Sequence, residues 1–314
     1  KINLTKENIR LKASIKDRFR FGRLIGKSPA MQDVYERILK AAASDADVVI
    51  YGESGTGKEL AARTIHESSS RAKNRFIPVN CGAIPENLME SNFFGYAKGA
   101  FTGAQKNTKG FLEEAHNGTL FLDEIGEIPS SLQIKLLRAL DEGGFSPLGS
   151  TEIIKPDFRI IGATNKNLKD LMDENLIRED FFYRIHVVPL HLPPLRDRKE
   201  DIPFLCDFFL KELGEKAFVL TPEIAEILQD HDWPGNIREL KNTLQRYATL
   251  GTEALTFSKK LKKSRISEDK DYEISYQGNL RESLKNYEKL IISSALDKNK
   301  QHRGKTSDFL GITR

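Results

Sequence analysis

The chain contains very little cysteine and no long apolar segment. Among its 314 residues there are two cysteines, Cys81 and Cys206, far apart in the sequence. Disulfide scaffolds are short and rich in cysteine, so that class is excluded, and we expect two reduced, buried thiols in a cytosolic protein. No stretch approaches the roughly 18 apolar residues of a membrane-spanning helix, which excludes an integral membrane helix.

A strong net charge is also missing. Lysine and arginine total 49 against 45 aspartates and glutamates, which gives a formal charge of +4. No global field therefore points to nucleic acid. The length allows two or three domains with a sizeable core. Because the chain begins at Lys1 and not at methionine, we expect it to be a piece of a longer protein.

Between about residues 21 and 190, short apolar strands alternate with helical segments. The strand candidates are residues 47–51 (DVVIY), Phe76–Asn80, Thr119–Asp123 and residues 158–164, and residues 131–140 are typical of an amphipathic helix. Strands separated by segments of helix length predict an α/β fold, with a parallel sheet covered on both faces.

The segments outside this unit have other compositions. Residues 1–20 are polar and basic and indicate a linker helix, with a short coiled coil as the alternative. The Pro-rich, charged residues 191–201 predict a hinge, and helical periodicity assigns residues 191–257 to an all-helical lid. Residues 258–278 are a basic, polar linker, and residues 279–314 return to helical patterning.

Residues 52–58 (GESGTGK) fit the phosphate-binding Walker A pattern and follow the DVVIY strand directly. The expected context of strand, glycine loop and helix is present, which disfavours a glycine-rich turn that arose by chance. Backbone N–H groups and the helix dipole would bind phosphates, with the Lys58 ammonium on the outer ones. Glu59 stands where the pattern usually has a Ser or Thr that binds Mg²⁺, so the hydroxyl ligand is unassigned.

Two carboxylates, Asp123 and Glu124, end the apolar TLFLD strand and fit the Walker B pattern. Asp123 would support Mg²⁺ and Glu124 would polarise the attacking water. A buried strand can end in acidic residues by chance, but after a good phosphate loop the signal is strong.

In the lid, residues 233–240 (WPGNIREL) contain a Pro-Gly turn. Asn236 is predicted to cap the helix that carries Arg238. Trp233 is interpreted as a packing residue.

Residues 99–104 (GAFTGA) resemble neither a strand nor a helix, and the default burial of a phenylalanine does not suit Phe101 there. Glycines near both ends make the loop mobile, and polar residues bracket it. We expect Phe101 and Thr102 at an exposed tip. Residues 143–156 predict a hairpin that braces this loop.

Together these motifs resemble the bacterial enhancer-binding proteins, AAA+ ATPases that activate the sigma-54 form of RNA polymerase. The resemblance covers about residues 21–250 strongly and the tail weakly. It implies a P-loop α/β domain with a helical lid, ATP and Mg²⁺ as cofactors, and sigma-54 RNA polymerase as a partner. It also implies an upstream regulatory domain, as in two-component systems. The family shares the glutamate at the position of Glu59.

The resemblance assigns roles residue by residue. The nucleotide-binding set is Gly52, Glu53, Ser54, Gly55, Thr56, Gly57, Lys58 and Glu59, with Ile25 and Gly26 on the adenine side and Arg238 as the sensor of the lid. The catalytic set is Asp123, which also binds Mg²⁺, with Glu124, Asn80, Thr164, Asn165, Arg178 and Arg184. The sigma-54 contacts are Gly99, Ala100, Phe101, Thr102, Gly103 and Ala104.

Several of these roles depend on the resemblance alone. Thr164 and Asn165 match the sensor of the γ-phosphate, although an Asn often opens a turn. Asn80 matches the switch residue that restrains the catalytic glutamate, although its type indicates only a polar strand end. Arg178 and Arg184 match arginine fingers that act across a subunit boundary, although surface arginines are usually only solvated. Fingers in trans would require a ring, usually a hexamer.

The tail, residues 286–314, resembles the start of a Fis-type helix-turn-helix and ends before the helix that enters the major groove. A polar terminal helix is the alternative. We expect enhancer DNA to be bound through this domain in the full-length protein.

Two competing functions lack sequence support. An AAA+ motor with another target would lack GAFTGA, and a non-hydrolysing nucleotide-binding module would lack Glu124 or the arginines. All of these are present, so the sequence predicts an ATP-hydrolysing activator of sigma-54 transcription.

Overall fold

The computed structural model describes residues 20–141, 144–213, 221–251, 292 and 302–310. The chain divides into two units, residues 1–258 and 259–314. Five parallel strands form the central sheet of the first unit: β3 (Val48–Tyr51), β4 (Phe76–Asn80), β7 (Thr119–Asp123), β8 (Arg159–Thr164) and β9 (Val188–His191). Their order is β4-β7-β8-β3-β9, so the phosphate-loop strand β3 is interior. The predicted parallel α/β sheet is confirmed.

Both edge strands contain a proline. Pro78 lies in β4 and Pro189 in β9, and each strand pairs on one side only. Proline has no N–H to donate to a sheet, so edge positions tolerate it and interior positions do not. The three interior strands carry no proline and are almost fully buried.

Two small antiparallel pairs lie outside this sheet. They are β1 (Arg20–Phe21) with β2 (Leu24–Ile25), and β5 (Gly95–Tyr96) with β6 (Thr108–Lys109).

Apolar helix faces cover the sheet on both sides. In the first unit the helices are α1 (Pro29–Ala42), α2 (Lys58–Glu67), α3 (Glu86–Phe94), α4 (Phe111–Glu114), α5 (Ser130–Asp141), α6 (Leu168–Asp173) and α7 (Glu179–Ile185). One core contains Met31, Ile38 and Ile65 against the sheet. The other contains Phe93, Leu136 and Phe181. Burial of apolar area at about 25 cal/mol per Å² is the main force that holds these layers together.

Three helices follow the sheet. They are α8 (Ile202–Glu212), α9 (Pro222–Asp230) and α10 (Asn236–Leu250). Trp233 is fully buried between α9 and α10, and its indole N–H donates to Leu228 O at 2.8 Å. Its interpretation as a packing residue is therefore confirmed.

Both cysteines are buried free thiols, as the sequence predicts, and burial raises the pKa of each to about 12. Within the described part of the chain, the helices are too short or too polar to cross a membrane.

Three predicted segments at the ends of the chain lie wholly or mostly outside the described residues. These are the linker helix up to residue 19, the linker at 258–278 and most of the helix-turn-helix. In the second unit, the structure describes helix α11 (Arg303–Leu310) and a single helical residue, Ile292.

Candidate functional site

The loop between β3 and α2 has the backbone geometry of an anion-binding turn. Gly55 and Gly57 adopt positive φ angles of 79° and 101°, which side chains with a Cβ rarely allow. Gly57 is the N-cap of α2, and no side chain caps the helix there. The free N–H groups of the first turn therefore point at the loop, where a phosphate is favoured by both hydrogen bonding and the helix dipole.

Lys58 lies folded over this loop. Its Nζ donates to Gly52 O at 2.8 Å and to Glu53 O at 3.1 Å. Burial lowers the pKa of the ammonium, and the carboxylates of Asp123 and Glu124 oppose that shift. The structure therefore brings the Walker A lysine and the two Walker B carboxylates into one electrostatic neighbourhood.

The hydroxyl and carboxyl groups of the loop are already engaged. Thr56 is 1% exposed and its hydroxyl donates to Glu53 O at 2.8 Å, so it does not face a metal. Glu59 pairs with Arg63 one helical turn further on. Neither residue replaces the usual hydroxyl ligand of Mg²⁺.

The carboxylate pair after β7 meets the end of β4. Glu124 is exposed and adopts a left-handed backbone with φ 55°. A Cβ built on Gly82 would lie 2.1 Å from Glu124 Oε2 and 3.5 Å from Asn80 Oδ1. The side chains of Glu124 and Asn80 therefore converge on the bare backbone of Gly82. Asn80 Oδ1 accepts from Ala83 N at 3.1 Å, which fixes the turn that leads into α3.

This donor set suits Mg²⁺, which proteins commonly hold through one or two carboxylates together with the substrate phosphates. Asp123 and Glu124 provide such carboxylates beside the phosphate loop. Among the residues that the structure describes, no cluster of three or more His, Cys, Asp or Glu could hold a metal without a ligand's help.

The end of β8 is adjacent to the phosphate loop. Gly52 N donates to Thr164 O at 3.2 Å, and the buried Thr164 hydroxyl accepts from Lys166 N at 3.0 Å. Asn165 is exposed beside them and lines a cavity of about 510 Å³ with Gly52 and Glu53. Asn165 is therefore the more accessible of the two sensor candidates.

The two arginine candidates occupy opposite ends of α7 and differ in their surroundings. Arg178 is exposed and makes a bidentate pair with Asp180, at 3.0 and 2.8 Å. Arg184 is one-third exposed and is held by Asp47 at 2.7 Å and Asp141 at 2.8 Å. Asp47 is almost buried, and burial raises its pKa even though Arg184 opposes the shift. Arg178 is thus the freer of the two guanidinium groups.

The lid reaches the phosphate loop through the turn before α10. Arg238 Nη1 donates to Ser54 Oγ at 3.1 Å. The predicted capping role of Asn236 is wrong, because Gly235 is the N-cap and the Asn236 side chain points across the interface. Its Oδ1 accepts from Leu195 N at 2.8 Å and its Nδ2 donates to Ser54 O at 3.0 Å.

A buried polar cluster supports the adenine-side candidates Ile25 and Gly26. Asp201 accepts hydrogen bonds from Lys27 N, Ser28 N and the Ser28 hydroxyl. Its neighbour Arg198 is 2% exposed and donates to Thr56 O at 3.2 Å. The sequence does not single out these two residues, because the Pro-rich, charged composition of residues 191–201 predicts a hinge.

The GAFTGA loop (residues 99–104) projects beyond the β5–β6 pair. Gly99 and Gly103 adopt φ angles of 84° and 105°, and Gly99 N donates to Ala104 O at 2.9 Å to close the loop. Phe101 is 46% exposed, and its ring packs edge-on against Tyr96 at 4.9 Å. The prediction of an exposed tip is confirmed for both Phe101 and Thr102, and Ala104 at the end of the loop is buried.

The predicted hairpin is present over its described residues, 144–156, and is called the bracing hairpin below. Phe145 and Ile154 exchange backbone hydrogen bonds of 2.9 and 2.8 Å across it. At its turn, Leu148 N donates to Gly95 O, and Leu148 O accepts from Ala97 N. The hairpin therefore contacts the base of the GAFTGA loop directly.

Two family models match the chain. The first, Sigma-54 interaction domain, matches residues 24–191, more than half of the chain. The second, AAA+ ATPase lid domain, matches residues 196–274. The chain belongs to the family of sigma-54-dependent transcriptional activators. The predicted family and the AAA+ fold are thereby confirmed, and the chain is an AAA+ ATPase.

Comparisons with single proteins agree with this membership. The chain is 44% identical over 322 residues to the regulatory protein AtoC of Escherichia coli K12. The aligned region covers 99% of this chain and 70% of AtoC. Crystal structures of NtrX from Brucella abortus superimpose with TM-scores of 0.69 for the ADP complex, at 33% identity, and 0.68 for the ATP complex, at 35%. These cover 99% and 98% of this chain and 70% of NtrX. The NtrX complexes contain nucleotide, in agreement with the predicted nucleotide-binding role of this sigma-54 activator domain.

Proposed function

We propose that this chain hydrolyses ATP to remodel sigma-54 RNA polymerase at promoters, with the GAFTGA loop as the contact and a ring of subunits on enhancer DNA as the working form. The observation that carries the proposal is the position of Phe101. An aromatic ring is half-exposed on a closed loop that rests on a hairpin. The chain runs from this loop through β6, the short helix α4 and β7 to the Walker B carboxylates. An apolar group in such a position is typical of a surface that contacts a partner.

The phosphate loop would bind the triphosphate through the backbone N–H groups of residues 52–57 and the Lys58 ammonium. Ile25 and Gly26 would contact the adenine side, and Arg238 would reach the nucleotide from the lid. Asp123 would hold Mg²⁺ together with the phosphates, and the ion would neutralise negative charge on the transferred group. Glu59 and Thr56 would not serve as ligands, because their polar groups are already bonded within the chain.

Hydrolysis needs a positioned water and a stabilised transition state. Glu124 is exposed, and its negative charge is close enough to Lys58 to raise the pKa of that ammonium. Its carboxylate would orient the attacking water. Asn165, with Thr164 behind it, would contact the γ-phosphate. Arg178 and Arg184 would stabilise charge on a neighbouring subunit's nucleotide, which an arginine can do with a fixed fork of donors.

Coupling to the polymerase would pass through Asn80. The Glu124 and Asn80 side chains converge on Gly82, and the turn that Asn80 holds leads into α3 and then into β5 and the GAFTGA loop. A movement of the Glu124 side chain on hydrolysis would therefore displace the turn at Asn80, where the segment that leads to Phe101 begins. The bracing hairpin would limit how that loop can move.

Enhancer binding is assigned to the C-terminal segment of the full-length protein. In a helix-turn-helix, the second helix enters the major groove and reads the bases. The chain's mild charge of +4 agrees with DNA binding that is confined to such a domain.

The test is an ATP-dependent open-complex assay on a supercoiled sigma-54 promoter, with ATPase measured on the same samples. We expect open complexes with ATP and sigma-54 polymerase, and none when the polymerase carries a different sigma factor. An ATPase rate per subunit that rises steeply with protein concentration would support trans arginines. ATP hydrolysis without open complexes on any sigma-54 promoter would contradict the assigned target and leave an AAA+ motor with another substrate.

A further inference from the structure

The lid turn is docked directly on the backbone of the phosphate loop. Ile237 N donates to Gly55 O at 3.0 Å, and the Asn236 amide donates to Ser54 O at 3.0 Å. The two backbones approach so closely that a Cβ on Gly55 would lie 2.3 Å from Gly235 O. Such an approach is possible only for glycine, so the loop and the turn are complementary surfaces.

Glu53 joins three segments at this contact. Its carboxylate receives a bidentate pair from Arg196, at 2.9 and 2.5 Å, and a third hydrogen bond from Asn236 Nδ2 at 3.1 Å. Arg196 lies at the start of the lid-domain match, shortly after β9, and Asn236 belongs to the lid turn. Asn236 in turn accepts from Leu195 N, which closes a ring of hydrogen bonds around Glu53.

Hydrogen bonds from Arg196 and then Asn236 lower the pKa of Glu53 to about 2, so its charge is present at neutral pH. A negative charge on the phosphate loop opposes the binding of a triphosphate, and both carboxylate oxygens are already bonded. A role as a phosphate ligand is therefore unsuitable for this side chain. Its contacts all run to the lid and to the segment that leads to it.

The lid arginine lies within the same contact. Arg238 Nη1 donates to Ser54 Oγ, one residue from Glu53, and its positive charge contributes to the lowered pKa of Lys58. The place of Arg238 over the phosphate loop therefore depends on the docking of the turn that precedes it.

We propose that Glu53 is a positioning residue: with Arg196 and Asn236 it latches the lid turn onto the phosphate loop and so sets Arg238 against the nucleotide. This inference rests on the proposed nucleotide site. It concerns how that site is held together, and it is independent of the polymerase target.

The test uses the whole chain with the substitutions Glu53→Gln and Arg196→Gln, singly and together. Gln keeps the size of the Glu53 side chain and is shorter than Arg at position 196, and each substitution removes the bidentate ion pair. Each single variant should speed hydrogen exchange at the Ile237 amide about tenfold, since that N–H crosses the interface. The Kd for a fluorescent ATP analogue should rise about fivefold through misplaced Arg238. The double variant should be no worse than either single one, because both remove the same pair.

A matched control is Glu90→Gln. Glu90 pairs with Lys135 at nearly the same side-chain exposure, 43% and 46%, but far from the lid in the fold. It should leave both readouts at the wild-type value. Arg196→Lys, which keeps the charge without the fork, should lie between wild type and Arg196→Gln.

Two results would overturn the latch: unchanged exchange at Ile237 in Glu53→Gln, or effects of the two substitutions that add in full. If Glu53→Gln fails to fold, hydrogen exchange at the Ile237 amide is measured instead in Arg196→Gln and Arg196→Lys, which change an exposed side chain. Unchanged exchange at Ile237 in Arg196→Gln would then overturn the latch. Neither exchange nor nucleotide affinity requires sigma-54 polymerase. A chain that docks its lid but activates no promoter would therefore refute the proposed target and leave the latch intact.

Discussion

Gly149 of the bracing hairpin lies directly against Ala100 of the GAFTGA loop. A Cβ on Gly149 would be 2.7 Å from Ala100 Cβ and 3.0 Å from Ala100 Cα. Gly149 also has a φ of 73°, which disfavours other residues. The hairpin thus presents bare backbone to the loop that carries Phe101, and the position of one depends on the other.

Gly149→Ala should displace the GAFTGA loop without disturbing the nucleotide site. We expect sigma-54 open-complex formation to fall about tenfold while the ATPase rate changes by less than about twofold, because the clash meets only Ala100. The control is Gly251→Ala, where φ is 67° and nothing lies within 4 Å. It carries the left-handed backbone cost of about 1–2 kcal/mol without a clash and should activate normally. Normal activation by Gly149→Ala would contradict the bracing role.

Phe101→Ala should abolish activation and retain ATPase. The ring is half-exposed and packs edge-on against Tyr96, so the loss of stability should be limited to about 0.5–1.5 kcal/mol. Thermal melting, ATPase and open-complex assays on the same preparation separate these effects. Leu213→Ala truncates a side chain of similar exposure, 41%, at the end of α8 and should leave all three unchanged. Activation that persists in Phe101→Ala would contradict the assigned contact.

The sequence predicts most of the sheet but not its fifth strand. Strands β4 and β7 agree to the residue with the apolar runs, and β3 and β8 begin one residue later than their runs. Strand β9 falls at the predicted boundary between the α/β unit and the hinge, and Pro189 within it disfavours a strand on local sequence. The strand order explains how a strand with a proline can form here. Strand β9 lies at the edge of the sheet, and an edge strand needs hydrogen bonds on one side alone.

Within the site, local motifs predict what single segments do, and tertiary contacts decide the rest. Walker A and Walker B residues follow strands in the sequence, so their meeting beside Lys58 was predictable. The latch was not, because Glu53, Arg196 and Asn236 are far apart in the chain and each has an adequate local interpretation. Asn236 shows the point: at a helix start it predicts a cap, but the amide is used on the phosphate loop instead.

Arg178 should act in trans, which a mixing experiment detects. Glu124→Gln removes the residue that orients water, and Arg178→Ala removes the arginine offered to a neighbour, so each protein alone should lose about a hundredfold in ATPase. Mixed rings pair an intact Glu124 with an intact Arg178 at some boundaries. We expect the mixture to hydrolyse ATP about tenfold faster than either variant alone. A mixture no faster than its components would contradict action across a boundary.

Arg184→Ala should destabilise the fold where Arg178→Ala does not. Removal of Arg184 takes the ion pair from the almost buried Asp47 carboxylate, which keeps its hydrogen bond from Ile160 N and the nearby charge of Arg159. An uncompensated charge of this kind costs about 3–5 kcal/mol when fully buried, and the one-third exposure of Arg184 reduces the figure to about 1–3 kcal/mol. Arg178 pairs only with exposed Asp180, so its variant should melt at the wild-type temperature. Asp47→Asn with Arg184→Ala should recover part of the loss.

His66 should make the chain sensitive to mild acid. It lies on α2 against β7, with 5% of the residue exposed, and its Nδ1 is 2.9 Å from the Thr119 hydroxyl. Burial lowers the pKa of the imidazole below the usual 6.5. The unfolded chain therefore binds a proton below pH 6.5 while the folded chain does not. This contribution to stability is complete above that pH and is lost, by at most about 1.4 kcal/mol per pH unit, as the pH falls toward the folded pKa.

The change that isolates this effect is His66→Gln, whose amide can still bond the Thr119 hydroxyl. Carboxylates and the remaining histidines titrate equally in both proteins, so they cancel in the comparison. We expect the difference in Tm between pH 7.5 and pH 5.5 to be smaller in His66→Gln than in wild type. His116→Gln, which removes an exposed histidine, should keep the wild-type difference. Equal pH dependence in wild type and His66→Gln would contradict this role of the buried imidazole. The loss of stability in acid would then arise from other groups, such as His186, whose pKa is also lowered by burial.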